Sequence, residues 1–393
     1  MKFKNSITIS LLVLCVNLFA QGNSTKINVF NKQVLNFGGK KGTDSEAVSL
    51  MSGRLVYKKV SIPEFKKGTD VKIKITVRSN GDRWDKSGSC FVVSDPEKLS
   101  ILSVTEKKND FPKDSYIDDK YAGFVKGTNY NPVVELMRFM TPFGVGHYSD
   151  NKVKYRRPVY IPSWEKQVVW ENDITDLESL VTGTFYVGVW IDTWTAEGYD
   201  FDLELTYSNR KQQKVSVLPL VNTIPYVGGQ QIPDNFAHNN LEQSIHLKKK
   251  AKNVKLHYIT TGHGGHSGGD EFIKIKNSVF FNNKLVLDTI PWRDDCASFR
   301  RFNPTSGVWI RKDSASYIDS KTHSYQVKEI EERIASSDLS RSNWCPGSFV
   351  KPMVVNLGDL KAGDHTLKIK IPATPVDRDK LNHWLVSAYL TYE

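Results

Sequence analysis

The chain has 393 residues, a formal charge of +11, 11% aromatic residues and four cysteines. That length is ample for two buried cores. The lysine excess is spread along the chain, dense only at His246–Lys255, and no nucleic-acid motif accompanies it, nor is there a Ser-His-Asp elbow, a phosphate loop or zinc-finger spacing.

At the start, Lys2 and Lys4 precede an apolar run from Ile7 to Phe19 that ends in Ala20. A basic start, an apolar stretch too short to span a bilayer and a small residue at its end read as a signal peptide over residues 1–20. No later stretch is long and apolar enough to span. The protein is therefore expected to be secreted or periplasmic, with no membrane span. Cys15 follows Val13 and Leu14 rather than the small residues of a lipid-anchor site, so it is expected to leave with the signal. Cys90, Cys296 and Cys345 remain. In an oxidising compartment one disulfide and one free thiol are expected, and three pairings are open.

Short alternating runs follow. Val71–Val77, Phe201–Tyr207, Val254–Tyr258, Phe272–Lys276 and His365–Ile371 alternate apolar and polar residues, which predicts strands with one buried face. Helical candidates are few: Ile174–Leu180 predicts a turn or two, and Lys328–Ala335 another. Many strands separated by Gly, Pro and Asn predict an all-β fold of antiparallel sandwich or jelly-roll type. The polar stretch Ser208–Lys214 places the domain boundary, giving domains 21–210 and 211–393. Asp95–Tyr130 lacks periodicity and reads as an insertion in the first domain. Asp313–Ser342 reads as a second excursion.

Six motifs recur in order. Arg83-Trp-Asp-Lys86 follows an Asn80-Gly81 turn. Met137-Arg-Phe-Met-Thr-Pro-Phe-Gly-Val-Gly146 and Ile174–Leu180 come next, then Asp192-Thr-Trp194, Gly268-Gly-Asp-Glu-Phe272 and Ser340-Arg-Ser-Asn-Trp-Cys-Pro-Gly347. Each alone is common, and Asp85 by itself reads equally as a turn residue capping a strand. The ordered set resembles the peptide-N-glycosidase F family over most of the chain after residue 20.

That resemblance implies two eight-stranded jelly-roll domains side by side and a disulfide between Cys296 and Cys345. It implies hydrolysis of the amide between asparagine and the first sugar of an N-linked glycan, in N-glycosylated proteins or glycopeptides, by a monomer that needs no cofactor. Asp85 falls on the essential aspartate of the family, Glu271 on its second carboxylate and Asp192 on a supporting one. Trp194, Arg341 and Trp344 match substrate-cleft positions, and Lys86 and His263 are expected to contact substrate as well. Departures are also present. The family has Glu at Asp192, Arg at Lys86 and Trp at His263, and it has cysteines near Asp82 and Asp270. A lysine lacks the planar bidentate fork of arginine.

The chemistry explains the residue types. One carboxylate can activate water as a general base. A second, held protonated by its neighbour's charge, can position water or donate a proton. Arg341 can stabilise negative charge, and Trp194 and Trp344 can stack on sugar rings. Two other readings remain open. A glycan-binding or adhesion protein would keep the fold without turnover. A metal-dependent enzyme would use His263, His266, Asp270 and Glu271 in the glycine-rich segment, although His-x-x-His alone is weak.

Overall fold

The computed structural model describes residues 24–393 apart from 64, 66–67, 96–98, 109, 112–120, 145–160, 162, 210–214, 228–234, 265–268 and 376–381. The proposed signal peptide, His266 and parts of the 95–130 insertion lie outside the described residues.

Strands of the first half are β1 (Ser24–Leu35), β2 (Val48–Leu50), β3 (Leu55–Ile62), β4 (Thr69–Ser79), β5 (Ser87–Val93), β6 (Val134–Met140), β7 (Val168–Asp173), β8 (Gly183–Ile191) and β9 (Tyr199–Asn209). The second half contributes β10 (Ser216–Asn222), β11 (Leu241–Leu247), β12 (Ala251–His263), β13 (Asn277–Phe281), β14 (Lys284–Thr289), β15 (Val308–Ile318) and β16 (Tyr325–Ala335). It ends with β17 (Phe349–Val350), β18 (Met353–Leu360), β19 (Gly363–Lys370) and β20 (His383–Tyr392).

These strands form a double antiparallel β-sandwich. One sandwich stacks sheet β1-β9-β4-β7 on sheet β17-β6-β5-β8-β3-β2. Eight of those strands are substantial; β2 and β17 are short edge additions. The other stacks β10-β20-β12-β18 on β11-β19-β13-β14. Alternation drives each sheet: in β4, Val71, Ile73, Ile75 and Val77 are buried and join one core. Burying each such side chain contributes about 1.5–3 kcal/mol.

The two halves are knit together. Phe349 and Val350 pair with Phe139 and Arg138 of β6. Met140 of the first half packs with Ile259, Trp344 and Val350 of the second. Arg138 is 1% exposed and pairs with Glu135 Oε2 at 2.6 Å. Its Nη1 also donates to Leu385 O at 2.5 Å. The described ends of the 95–130 insertion are packed too: Tyr121 and Val125 belong to the second-half core, and Lys126 N donates to Leu220 O.

Two local expectations are corrected. Lys328–Ala335 is strand β16, paired along its length with β15 in a long hairpin, not a helix. Ile330 and Ile334 stand at helical spacing among good helix formers, so the pattern misleads. Cross-strand partners such as Arg311–Glu332 and Lys312–Glu329 favour the ribbon instead. The same hairpin, a two-stranded sheet of its own, makes up most of the excursion expected at Asp313–Ser342. Phe272–Lys276 is not a strand; Phe272 N closes a turn on Gly269 O, and β13 begins at Asn277. Within that segment Ile273 O accepts from Ser342 Oγ, which ties it to the site loop.

Candidate functional site

Asp85 sits in the loop joining β4 to β5, and that loop is pinned residue by residue. Asp82 Oδ1 accepts from Trp84 N at 3.0 Å, and its Oδ2 accepts from Thr193 Oγ1 at 2.7 Å. Tyr199 OH donates to Trp84 O at 2.8 Å. Lys86 N donates to Thr141 Oγ1, and Thr141 N returns to Lys86 O, both at 2.8 Å. Thr305 Oγ1, from the second half, donates to Arg83 O. Gly81 has φ +149, and an added Cβ would meet Glu197 Cβ at 2.6 Å, so the turn has no room for a side chain. Asp85 is thus presented by a rigid frame while keeping some access to solvent.

Glu271 arrives from the other half, on the turn after β12. It is 9% exposed. Arg341 Nε donates to Glu271 Oε1 at 2.8 Å, and Ser342 N donates to Glu271 O at 2.9 Å. Arg341 is 1% exposed. Its Nη1 and Nη2 donate to Leu339 O and Ser336 O, both at 2.8 Å. Its guanidinium lies 5.0 Å from the ring centroids of Phe272 and Trp344. Every side-chain nitrogen of this cation is therefore held, which makes it a fixed charge rather than a mobile arm.

The two carboxyls share that one buried cation. Burial pushes the Asp85 carboxyl above the ordinary range, against the pull of Arg341 and Lys86. Burial also pushes Glu271 up to about 7; Arg341 opposes this and the charge of Asp85 adds to it. Two acids around one guanidinium cannot both ionise freely, so the pair titrates as a unit and keeps a proton towards neutral pH.

Asp192 lies beside the Asp85 loop, its N donating to Ser87 O at 2.9 Å. Its carboxylate takes Trp194 Nε1 at 3.1 Å and Arg54 Nη1 at 3.4 Å. Trp194 is 58% exposed, whereas Trp344 is 4% exposed and donates Nε1 to Gly262 O. Trp344 thus supports Arg341 from below rather than facing solvent. His263 is buried, with Nε2 2.9 Å from Thr261 Oγ1 and its ring stacked on Trp344 and His383. Burial, His383 and Arg138 together hold it well below the ordinary histidine range. Asp270 accepts from Thr374 N and from Trp384 Nε1. With His263 and Asp270 committed to these partners, the geometry does not favour the metal-loop reading. Cys296 and Cys345 form the disulfide, which anchors the segment carrying Trp344; Cys90 is free and buried.

No sequence motif contained Arg54, Phe37 or Tyr199, and Thr141 carried no distinct signal within Met137–Gly146. Trp84, 52% exposed beside Asp85, was legible only by adjacency.

The fold and site together define a double β-sandwich with two carboxyls gathered around a fixed arginine. Family models described as peptide-N-glycosidase F, N terminal and C terminal, match residues 26–207 and 231–391. The chain belongs to the peptide-N-glycosidase F family. Peptide-N(4)-(N-acetyl-β-D-glucosaminyl)asparagine amidase F of Elizabethkingia miricola is 26% identical over 269 residues, covering 65% of this chain and 63% of that protein. The structure of PNGF-II in a C2 crystal form is 32% identical with a TM-score of 0.79, covering 94% of this chain and 65% of that one. The chain thus spans just under two thirds of the length of both relatives. PNGase F of Flavobacterium meningosepticum, a glycosylasparaginase, has a TM-score of 0.58 at 16% identity over 94% of this chain and 96% of its own, a likeness of fold.

Proposed function

We propose that the protein hydrolyses the amide between an asparagine side chain and the first N-acetylglucosamine of N-linked glycans, on glycoproteins or glycopeptides. The observation that carries this reading is the convergence of Asp85, Glu271 and Arg341, from three distant chain positions, into one electrostatic unit. Asp85 in its ionised form takes a proton from water as the oxygen attacks the amide carbon. Arg341 stabilises the negative charge that develops there, because its guanidinium is already oriented and needs no reorganisation. Glu271, protonated up to about pH 7, positions the amide and supplies a proton as the C–N bond breaks. The products are an aspartate side chain and a glycosylamine. Asp192 and Lys86 support Asp85, and Trp194 offers an exposed ring to a sugar. The disulfide suits an exported protein, acting as a monomer outside the cytoplasm.

The test is incubation of wild type and Asp85→Ala with a defined N-glycopeptide, read by mass spectrometry. Release of intact glycan with Asn converted to Asp by wild type only is the expected result. Equal activity in both would remove Asp85 from the chemistry, and no release by folded wild type would favour a glycan-binding protein.

A further inference from the structure

Arg54 belongs to none of the sequence motifs, yet it joins three segments beside the acid site. It directly precedes β3. Its guanidinium lies 4.1 Å from the Trp194 ring centroid and 5.3 Å from that of Phe37. The two rings are 5.1 Å apart. Arg54 Nη1 and Trp194 Nε1 converge on the same oxygen, Asp192 Oδ1. The side chain of Arg54 is only 13% exposed, while Trp194 is 58% and Phe37 36% exposed. A mostly buried cation therefore backs an open pair of rings.

The backbone is bent to achieve this. Met51 and Ser52, neither of them glycine, stand at φ +52 and +59, in the left-handed region, and Gly53 follows at +102. Such conformations persist only where surrounding structure over-determines them, and they gather at functional sites. Arg54 N and Nε both donate to Met51 O, so the strained turn aims the side chain. Phe37 N donates to Thr195 O at 2.8 Å, which fastens its loop to that of Trp194.

The geometry points to Arg54 as a positioning residue that fixes Trp194, Phe37 and Asp192 as one platform for the sugar rings next to the scissile amide. This rests on the amidase reading. A pyranose presents a face of C–H groups to an aromatic ring. The Asp192 hydrogen bond sets the rotation of the indole, and the guanidinium occupies one of its faces, leaving exposed ring surface for the sugar. A ring already fixed loses little freedom on binding, so the effect falls on affinity more than on the chemical step. Because the contact is planar stacking, lysine replaces it only in part.

The test compares wild type, Arg54→Lys, Arg54→Met and Trp194→Ala. KM and kcat are measured on an N-glycopeptide, and binding of N,N′-diacetylchitobiose, the disaccharide nearest the asparagine in N-glycans, is measured by calorimetry. Expected for Arg54→Met is a KM raised roughly tenfold with kcat within about threefold, and disaccharide binding weakened to match. Arg54→Lys should recover part of the loss, and Arg54→Met added to Trp194→Ala should do little further harm, since Arg54 acts through that ring. Unchanged KM and affinity in folded Arg54→Met, or a loss confined to kcat or thermal stability, overturns the proposal. Should Arg54→Met not fold, unchanged affinity in both Arg54→Lys and Trp194→Ala overturns it, and weakened affinity in both supports it. If wild type binds the disaccharide in an Arg54-dependent way but releases no glycan, the platform stands and the amidase reading falls. If wild type neither binds nor cleaves, both fall.

Discussion

Replacing Glu271 by Gln tests whether burial or the Arg341 ion pair governs this carboxyl. Gln keeps an acceptor oxygen for Arg341 Nε and adds almost no volume, so the change is one of charge alone. In the fold, Glu271 holds its proton up to about pH 7, against an ordinary value of 4.5. At ~1.4 kcal/mol per pH unit that window amounts to about 3 kcal/mol. The sign follows from the raised value. The favourable contribution of the carboxyl is fully present below about pH 4.5, where folded and unfolded chains are both protonated. It is lost as pH rises through about 7, because only the unfolded chain gives up its proton readily. Urea denaturation of wild type and Glu271→Gln from about pH 4.5 to about pH 8 measures this directly, since other titrating groups largely cancel in the difference. The two proteins should be of similar stability at the acid end, and the variant should gain about 3 kcal/mol relative to wild type by pH 8. A difference that stays flat, or one that grows in favour of wild type, would refute the reasoning, for it would mean that the ion pair outweighs burial and the charge of Asp85.

The same proton predicts a bell-shaped kcat/KM for glycopeptide release with its alkaline limb near pH 7, and a profile flat to about pH 9 would exclude protonated Glu271 from the step. Reduction of Cys296–Cys345, 49 residues apart in sequence, should cost about 4 kcal/mol in denaturant unfolding and also lower activity, since the bond anchors the segment of Arg341 and Trp344. Arg138→Met should destabilise by about 3–5 kcal/mol, because it leaves Glu135 buried without its cation and removes the bond to Leu385 O; Arg138→Met with Glu135→Leu should recover most of that loss. Circular dichroism melts of the single and double variants check this.

Much of the fold was legible in sequence because strand period is a local property. Val71, Ile73, Ile75 and Val77 alternate with polar residues, and no tertiary knowledge is needed to see which face they bury. Asp85, Glu271 and Arg341 were reachable too, but through an ordered set of motifs rather than through their chemistry, since an aspartate after a tight turn looks the same whether or not it reacts. The segment Lys328–Ala335 shows where local reading fails: isoleucines at helical spacing satisfy a helix pattern, and only the partner strand β15 decides for a ribbon. Trp344 and Trp194 were alike on paper, and burial alone separated a support for Arg341 from an exposed ring. Arg54 carried no signal at all. Its role arises where Phe37 meets Asp192 and Trp194, which lie more than 150 residues further along the chain. Sequence by itself determined alternating strands such as β4 and where the candidate site residues stand along the chain. Tertiary structure decided which of them share a charge environment, because burial and Coulomb interaction depend on distance through space and not along the chain.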